Sequence, residues 1–351
     1  MKPGNQERRA RRLGAVSAGA LALLGVVAAC GTSSGGTTGS GSGGSSGSAN
    51  LTISYSEKVG DELPVWIAAD AGIFKKNHLN VTLQYITGKD GIPALLSGQT
   101  QIASVGGSEA LSAEAQGASL KYVLTLVPEY SFTFWTKPKY ASASALKGQR
   151  VGITSTSGSL YIGTVLSLKE LGLSTSDVQT VPLNSVPNVN SALISGTVAA
   201  AASHPPDTYK YKQAGLKELV DLPSKHIPAA MTGFAIQSSY LSGNRDVVQR
   251  VVTSILQAIQ MEKTNKAFTE KEMAKYMGVT GKAEADFTYQ FYAKTLAPSV
   301  PVPAVDQFAA TKTALAKNNS RVASVNLNDL VDPSLVKTAA SQLGISSSSS
   351  G

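Results

Sequence analysis

From Leu51 to about Gln237 the 351-residue chain alternates between two textures, and this alternation restricts its possible folds more than any other feature. LTISYS (51–56) has the β-branched and aromatic content of a strand, and Leu63–Lys76 follows as a helix with Pro64 near its start. VTLQYI (81–86), a short helix at Ile92–Ser97, QIASV (101–105) and a helix opening at Gly106-Gly107-Ser108 repeat the pattern. LKYVLTLV (120–127) and SFTFWT (131–136) read as further strands. A second run begins with KGQRVGI (147–153), then a polar loop at Thr154–Ser159, a helix to about Leu171, DVQTVPL (177–183), a helix Val189–Ser195 and the small-residue strand VAAAAS (198–203). Pro205–Gln213 (helix), LKELVDL (216–222) and GFAIQ (233–237) complete it. Such an order predicts an α/β fold with largely parallel sheets. After Ser238 the chain turns helical. In Arg245–Phe268, Val248, Val251, Val252, Ile255, Leu256 and Ile259 recur at three–four spacing, the stripe of a buried helix.

The first 29 residues read as an address. Lys2, Arg8, Arg9, Arg11 and Arg12 precede an uncharged run, Leu13–Ala29, that is short for a membrane span and rich in Ala and Gly. It ends in Val27-Ala28-Ala29-Cys30, which resembles the bacterial lipobox and implies cleavage before Cys30 and lipidation there. Residues 30–49 are then the lipidated Cys and a Gly/Ser/Thr tract, a flexible coil reaching roughly 20–25 Å. Within it, Gly31–Gly35 fits G-x-S-x-G and Gly39–Gly44 fits G-x-G-x-x-G, but neither follows a strand or opens a helix, so both are compositional accidents. Residues 346–351, SSSSSG, read as a tail.

Composition excludes several chemistries. Cys30 is the only cysteine, so an intramolecular disulfide, a CxxC zinc site and a thiolate-held iron–sulfur centre are ruled out. Three scattered histidines give no pattern for a metal. The formal charge of +8 comes from 31 basic and 23 acidic residues; the leader holds five of the former and one of the latter, leaving 26 against 22, or +4. No dense Lys/Arg stripe remains for nucleic acid.

Several segments together resemble the extracytoplasmic solute-binding proteins of ABC importers, in the nitrate/sulfonate/taurine/thiamine-precursor group. Pro64-Val65-Trp66-Ile67-Ala68-Ala69-Asp70-Ala71-Gly72-Ile73-Phe74, followed by Leu79 and Val81, is similar to that family's P-x-x-x-A-x-x-x-G-x-F…L-x-V signature. Ala94–Gln99 with Ile102-Ala103, Leu146–Gly152, and Ala192–Val198 resemble three later family segments. Gln101 and Ala199 stand where the family carries acids, and Ala202–Pro206 departs from the pattern of sulfonate binders. The resemblance implies a periplasmic-binding-protein-like (type II) fold: two α/β lobes joined by two hinge strands, with a ligand cleft between them. Lobe 1 is expected at 51–140 plus 238–345 and lobe 2 at 141–237, with hinges near Pro138–Ser144 and Ile236–Ser239.

Ligands of open α/β sheets bind beyond the carboxyl ends of strands, so loops after strands supply the candidates. Ser155, Ser157, Gly158, Ser159 and Tyr161 head a helix whose free N–H groups favour an acceptor or anion. Gly107, Ser108 and Glu109 form the matching loop of the first lobe, where Glu109 facing a ligand would disfavour an anion and suit an amine or pyrimidine. His204 and Asp207 flank a proline-fixed loop, and Trp66 and Tyr130 could stack a ligand. The resemblance implies a binding protein and not an enzyme. It would take no cofactor or metal, and would act as a monomer tethered to the outer face of the cell membrane through Cys30, delivering a small-molecule ligand to an ABC permease and its ATPase. A ligand-sensing or partner-binding surface lipoprotein is the alternative.

Overall fold

The structure is a computed structural model that describes residues 47–346; the leader, Cys30 and nearly all of the Gly/Ser/Thr tract lie outside the described residues, as do residues 347–351. Ten strands follow in chain order: β1 (Ala49–Tyr55), β2 (Leu79–Tyr85), β3 (Ile102–Val105), β4 (Leu120–Glu129), β5 (Thr133–Thr136), β6 (Arg150–Ile153), β7 (Gln179–Pro182), β8 (Ala200–Ser203), β9 (Lys217–Asp221) and β10 (Pro228–Gln237). They form two five-stranded sheets, ordered β2-β1-β3-β10-β4 and β7-β6-β8-β5-β9. In the first, β1 pairs parallel with β2 and β3, while β10 runs antiparallel between β3 and β4. The second repeats the scheme, with β6 parallel to β7 and β8, and β5 antiparallel between β8 and β9.

Each antiparallel strand is therefore supplied by the chain arriving from the other lobe. The chain leaves the first sheet after Glu129 and enters the second at Thr133, then returns between Asp221 and Pro228. The two passages lie side by side: Tyr130 N–H donates to the Ile227 carbonyl (3.2 Å), and Leu222 N–H to the Phe132 carbonyl (3.2 Å). Both fall earlier than the crossings expected at Pro138–Ser144 and Ile236–Ser239, because Thr133–Thr136 belongs to the second sheet and Pro228–Gln237 to the first.

Packing follows from side-chain size. β8 is Ala-Ala-Ala-Ser and buried throughout, so the helices Ser159–Glu170 and Val186–Ser195 approach it closely. The helix Leu63–Asp70 is buried from Leu63 to Ala68 without a break, as a helix apolar on every side must be. The expected stripe on Arg245–Thr264 is buried. That helix stops before Phe268 because Asn265 caps the next one, Lys266–Met277, accepting from Phe268 N–H (3.2 Å).

Near the carboxyl side of the first lobe, a π-helical segment, Gln290–Leu296, pushes Tyr292 inwards. Its ring lies against Gly60, where an added Cβ would sit 2.1–2.4 Å from three ring carbons. Gly60→Ala is therefore expected to destabilise the protein by about 1–3 kcal/mol through overpacking, seen as a lower urea midpoint with unchanged slope.

Glu262 lies on Arg245–Thr264, 1% exposed, with Oε2 lacking a hydrogen-bond partner among the described residues. Burial pushes its carboxyl up to about 8, opposed by Lys263 and reinforced by Asp61. The folded state thus holds this proton more tightly than the unfolded state, so stability falls as pH rises from about 5 towards 8. Glu262→Gln is expected to raise the melting temperature by a few degrees at pH 8.5 and to leave it unchanged near pH 4.5, measured by calorimetry across that range.

Candidate functional site

A cleft of about 290 Å3 opens where the carboxyl ends of the parallel strands of both sheets face each other. The first lobe lines it with Ser56–Val59, Asp61 and Glu62 after β1, Thr87–Lys89 after β2, and Gly106 and Glu109 after β3. The second contributes Thr154, Ser155, Gly158 and Ser159 after β6, Asn184–Pro187 after β7, and Asp207 beyond β8. Phe132, from the outgoing passage, and Met231 and Thr232, from β10, complete the wall together with Tyr85 and Leu160.

The lobes touch at one edge of the cleft, where two helices begin. Ser108 Oγ lies 3.1 Å from Ser159 Oγ across the gap and donates to Glu109 Oε2 at 2.6 Å. Gly106 and Gly158 occupy the N-cap positions of the two helices, Gly107–Glu114 and Ser159–Glu170. A Cβ on Gly106 would fall 2.5 Å from Glu109 Oε2 and 2.4 Å from Ser159 Oγ; one on Gly158 would fall 3.5 Å from Glu109 Oε1. The Glu109 carboxylate thus lies between the two N-caps, where helix dipoles and free N–H groups favour negative charge. Burial pushes its carboxyl up, while the Ser108 hydroxyl and its own backbone oppose this.

Three more acids come from the turn after β1. Glu62, 1% exposed, accepts from Ser104 Oγ (2.7 Å) and Ser56 N–H (3.2 Å), and burial raises it to about 8. Asp61, 3% exposed, accepts from Thr232 Oγ1 at 2.8 Å through one oxygen, while its other oxygen has no partner among the described residues. Its carboxyl is raised by burial despite His204 nearby. Glu57 keeps 43% of its side-chain surface, facing the cleft it lines, and is raised to about 7, chiefly by the surrounding protein. Behind it His204 is 1% exposed, stacks on Phe132 at 5.3 Å and holds Nε2 3.9 Å from Glu57. The Tyr292 hydroxyl donates to the Pro205 carbonyl (2.8 Å) and lies 3.1 Å from His204 Nδ1, while Nε2 faces Glu57. The contact ties the second lobe to the first.

Of the residues expected at the site, Glu109, Ser155, Gly158, Ser159 and Asp207 line the cleft. Ser108 and His204 stand directly behind its wall, and Ser157 lines an adjoining groove between the cleft and helix Gly107–Glu114. Gly107 is a packing position, with Ala230 and Phe308 2.6 and 2.8 Å from where a Cβ would be. Trp66, Tyr130 and Tyr161 are core residues instead of ligand contacts. Trp66 stacks on Tyr276 (4.6 Å, 6°) against the buried helix, Tyr130 bonds Thr311 Oγ1 at 2.7 Å, and Tyr161 is 8% exposed within the hydrophobic core. Sequence reading missed Glu57, Asp61 and Glu62, although the rule that loops follow strand carboxyl ends applies to β1 as well. It also missed Tyr85 and Phe132, whose strands gave no sign of which end faces the cleft.

Among the described residues no helix is long and apolar enough to cross a membrane, and no group of three or more His, Cys, Asp or Glu is placed to hold a metal ion. The chain is 23% identical over 216 residues to the riboflavin-binding protein RibY of Chloroflexus aurantiacus, a match spanning 60% of each protein. Its fold is similar to that of the alkanesulfonate-binding protein SsuA of Xanthomonas axonopodis bound to MOPS, with a TM-score of 0.65 and 21% identity, over 84% of this chain and 98% of that one. The nitrate-binding protein NrtA of Synechocystis superposes with a TM-score of 0.68 at 12% identity, over 85% and 89% of the two chains. These likenesses establish the periplasmic-binding-protein-like architecture. The NMT1/THI5-like family model matches residues 60–265, which runs from the Gly60 turn through both sheets to the Asn265 cap, and the chain belongs to that family.

Proposed function

We propose that this protein is the solute-binding component of an ABC importer: it captures a small organic nutrient between its lobes and presents the closed pair to a membrane permease, tethered through a lipid on Cys30. The supporting observation is the cleft itself. Its lining comes from the loops after β1, β2 and β3 in one lobe and after β6, β7 and β8 in the other, so a ligand bridging them stabilises the approach of the two. Two side-by-side passages form the joint about which the lobes turn. The binding proteins for riboflavin, sulfonates and nitrate that share this architecture support the same use.

No nucleophile–base pair is needed for this role. The work is recognition, exclusion of water and lobe closure, and carboxylates aimed into a cleft bind without transferring groups. Direct ligand contact by Glu109, Ser155, Gly158, Ser159 and Asp207 belongs to this reading, with Ser108 and His204 positioning them.

The test is thermal unfolding of residues 47–346 against a panel of small nutrients, with small-angle scattering on any hit. A ligand at 100 times its Kd is expected to stabilise by about 2.7 kcal/mol, a rise of several degrees, and to reduce the radius of gyration. Gly106→Ala places a methyl group where Ser159 Oγ sits on closure. It is expected to weaken the same ligand at least tenfold in calorimetric titration, with the unliganded melting temperature changed by no more than a few degrees.

A further inference from the structure

Resting on that reading, we infer that the cleft selects a small organic cation: a protonated amine carried on an apolar or aromatic body, received by Asp61, Glu57 and Glu109. Three observations converge. Asp61, only 3% exposed, lines the cleft, and one of its carboxylate oxygens lacks a partner among the described residues, so a donor is missing on its side. Among the described residues none of Asp61, Glu62 and Glu109 has a Lys or Arg within ion-pair distance; Glu57 has only His204, and Asp207 is already served by Lys210 at 3.6 Å. Two lysines line the cleft, Lys58 over the Tyr85 ring (5.4 Å) and Lys89 beside Asp90 (3.9 Å), and neither lies within ion-pair distance of Asp61, Glu62 or Glu109.

Asp61 and Glu62 are buried, and burial disfavours the ionised form of an acid that has no counter-charge. An ammonium group entering the cleft supplies that charge and the missing N–H donors together. A metal ion does not fit, since no group of three or more His, Cys, Asp or Glu among the described residues is placed to hold one, whereas an organic cation is large enough to meet these acids at different points along the cleft. An anion is not suited to the place between the helices Gly107–Glu114 and Ser159–Glu170, which the protein's own Glu109 fills. Phe132, Leu160, Val186 and Met231 line the rest with apolar surface, and Tyr85 adds an aromatic face, so the body behind the ammonium is apolar or aromatic.

Binding of such a cation must draw protons out of the cleft. Glu57 is the group near neutrality, at about 7, and it faces His204, Asp61, Glu109 and Asp207, with Lys58 beside it in sequence. The cation binds the ionised form, so affinity is expected to rise with pH between 6 and 8, with release of protons.

The test uses shape-matched probes of different charge: phenethylammonium, phenethyl alcohol and phenylmethanesulfonate, with agmatine and choline as further cations, titrated calorimetrically in two buffers of different ionisation enthalpy. The expected result is binding by at least one cation, none by the sulfonate, proton release near pH 6.5, and at least tenfold weaker binding by both Asp61→Asn and Glu109→Gln. Each variant is near-isosteric, and circular dichroism with the melting temperature shows whether it has folded. If Asp61→Asn does not fold, Glu109→Gln and the proton count carry the test. Binding by the alcohol or sulfonate but no cation overturns the charge selection while leaving the receptor reading intact. Binding by none of the probes overturns the cation inference, and the nutrient panel then decides the receptor reading separately. Cation binding without proton uptake or release, unchanged in both variants, overturns the assignment to these carboxylates.

Discussion

The exchange of one strand between sheets governs everything else in this molecule. β5 is the second sheet's antiparallel strand and β10 the first sheet's, and each is reached by a passage of a few residues from the other lobe. Because parallel strands require crossovers on their faces, their loops at the carboxyl ends remain free, and the exchange turns both sets of loops towards one space. The passages also pair with each other through Tyr130–Ile227 and Leu222–Phe132. These hydrogen bonds hold the two passages side by side. Phe132 belongs to the joint and to the cleft wall at once, so the position of a ligand and the angle between lobes are mechanically linked.

Against that frame, the carboxylates of the cleft are a constraint on stability as much as on recognition. Removing a charge from water costs several kcal/mol unless it is paired, and the chain meets this with hydroxyls instead of cations. Ser104 serves Glu62, Thr232 serves Asp61 and Ser108 serves Glu109. A hydroxyl satisfies one lone pair but does not neutralise a charge, which is why the raised values persist. The site is held poised between neutral and ionised, and the missing counter-charge is left for the occupant to bring.

The elements and the order of the two lobes were legible from residues alone, because hydrophobic period and turn chemistry are local. The lobe boundaries were not. SFTFWT follows the first lobe's strands without a marked break, and only its pairing with residues 200–203 and 217–221 places it in the second sheet. Trp66 misled for a related reason: the residue that covers it, Tyr276, lies more than 200 positions on in the chain. Glu57, Asp61 and Glu62 look like an ordinary acidic turn, since nothing near them in sequence shows that Asp61 and Glu62 will be buried against Thr232 and Ser104, or that Glu57 will face His204. Glu109 was visible because the helix start and the strand before it are both local signals.

A strand–loop–helix unit with N–H groups aimed outwards is commonly read as an anion site, and Thr154–Ser159 invites that reading. The geometry here shows that the inference needs one more step: what already stands in front of the helix. Gly106 and Gly158 bring two N-caps close enough for a single carboxylate to lie between them, and Glu109, three residues along from Gly106, supplies it from within. A helix dipole that is answered by an internal acid does not attract a second anion. It stabilises the first, and the net field presented to the cleft becomes that of the remaining carboxylates. Likeness of fold to proteins named for nitrate or sulfonate therefore carries the scaffold and its closure, while the sign of the charge the cleft accepts is set by which side chain occupies the helix ends.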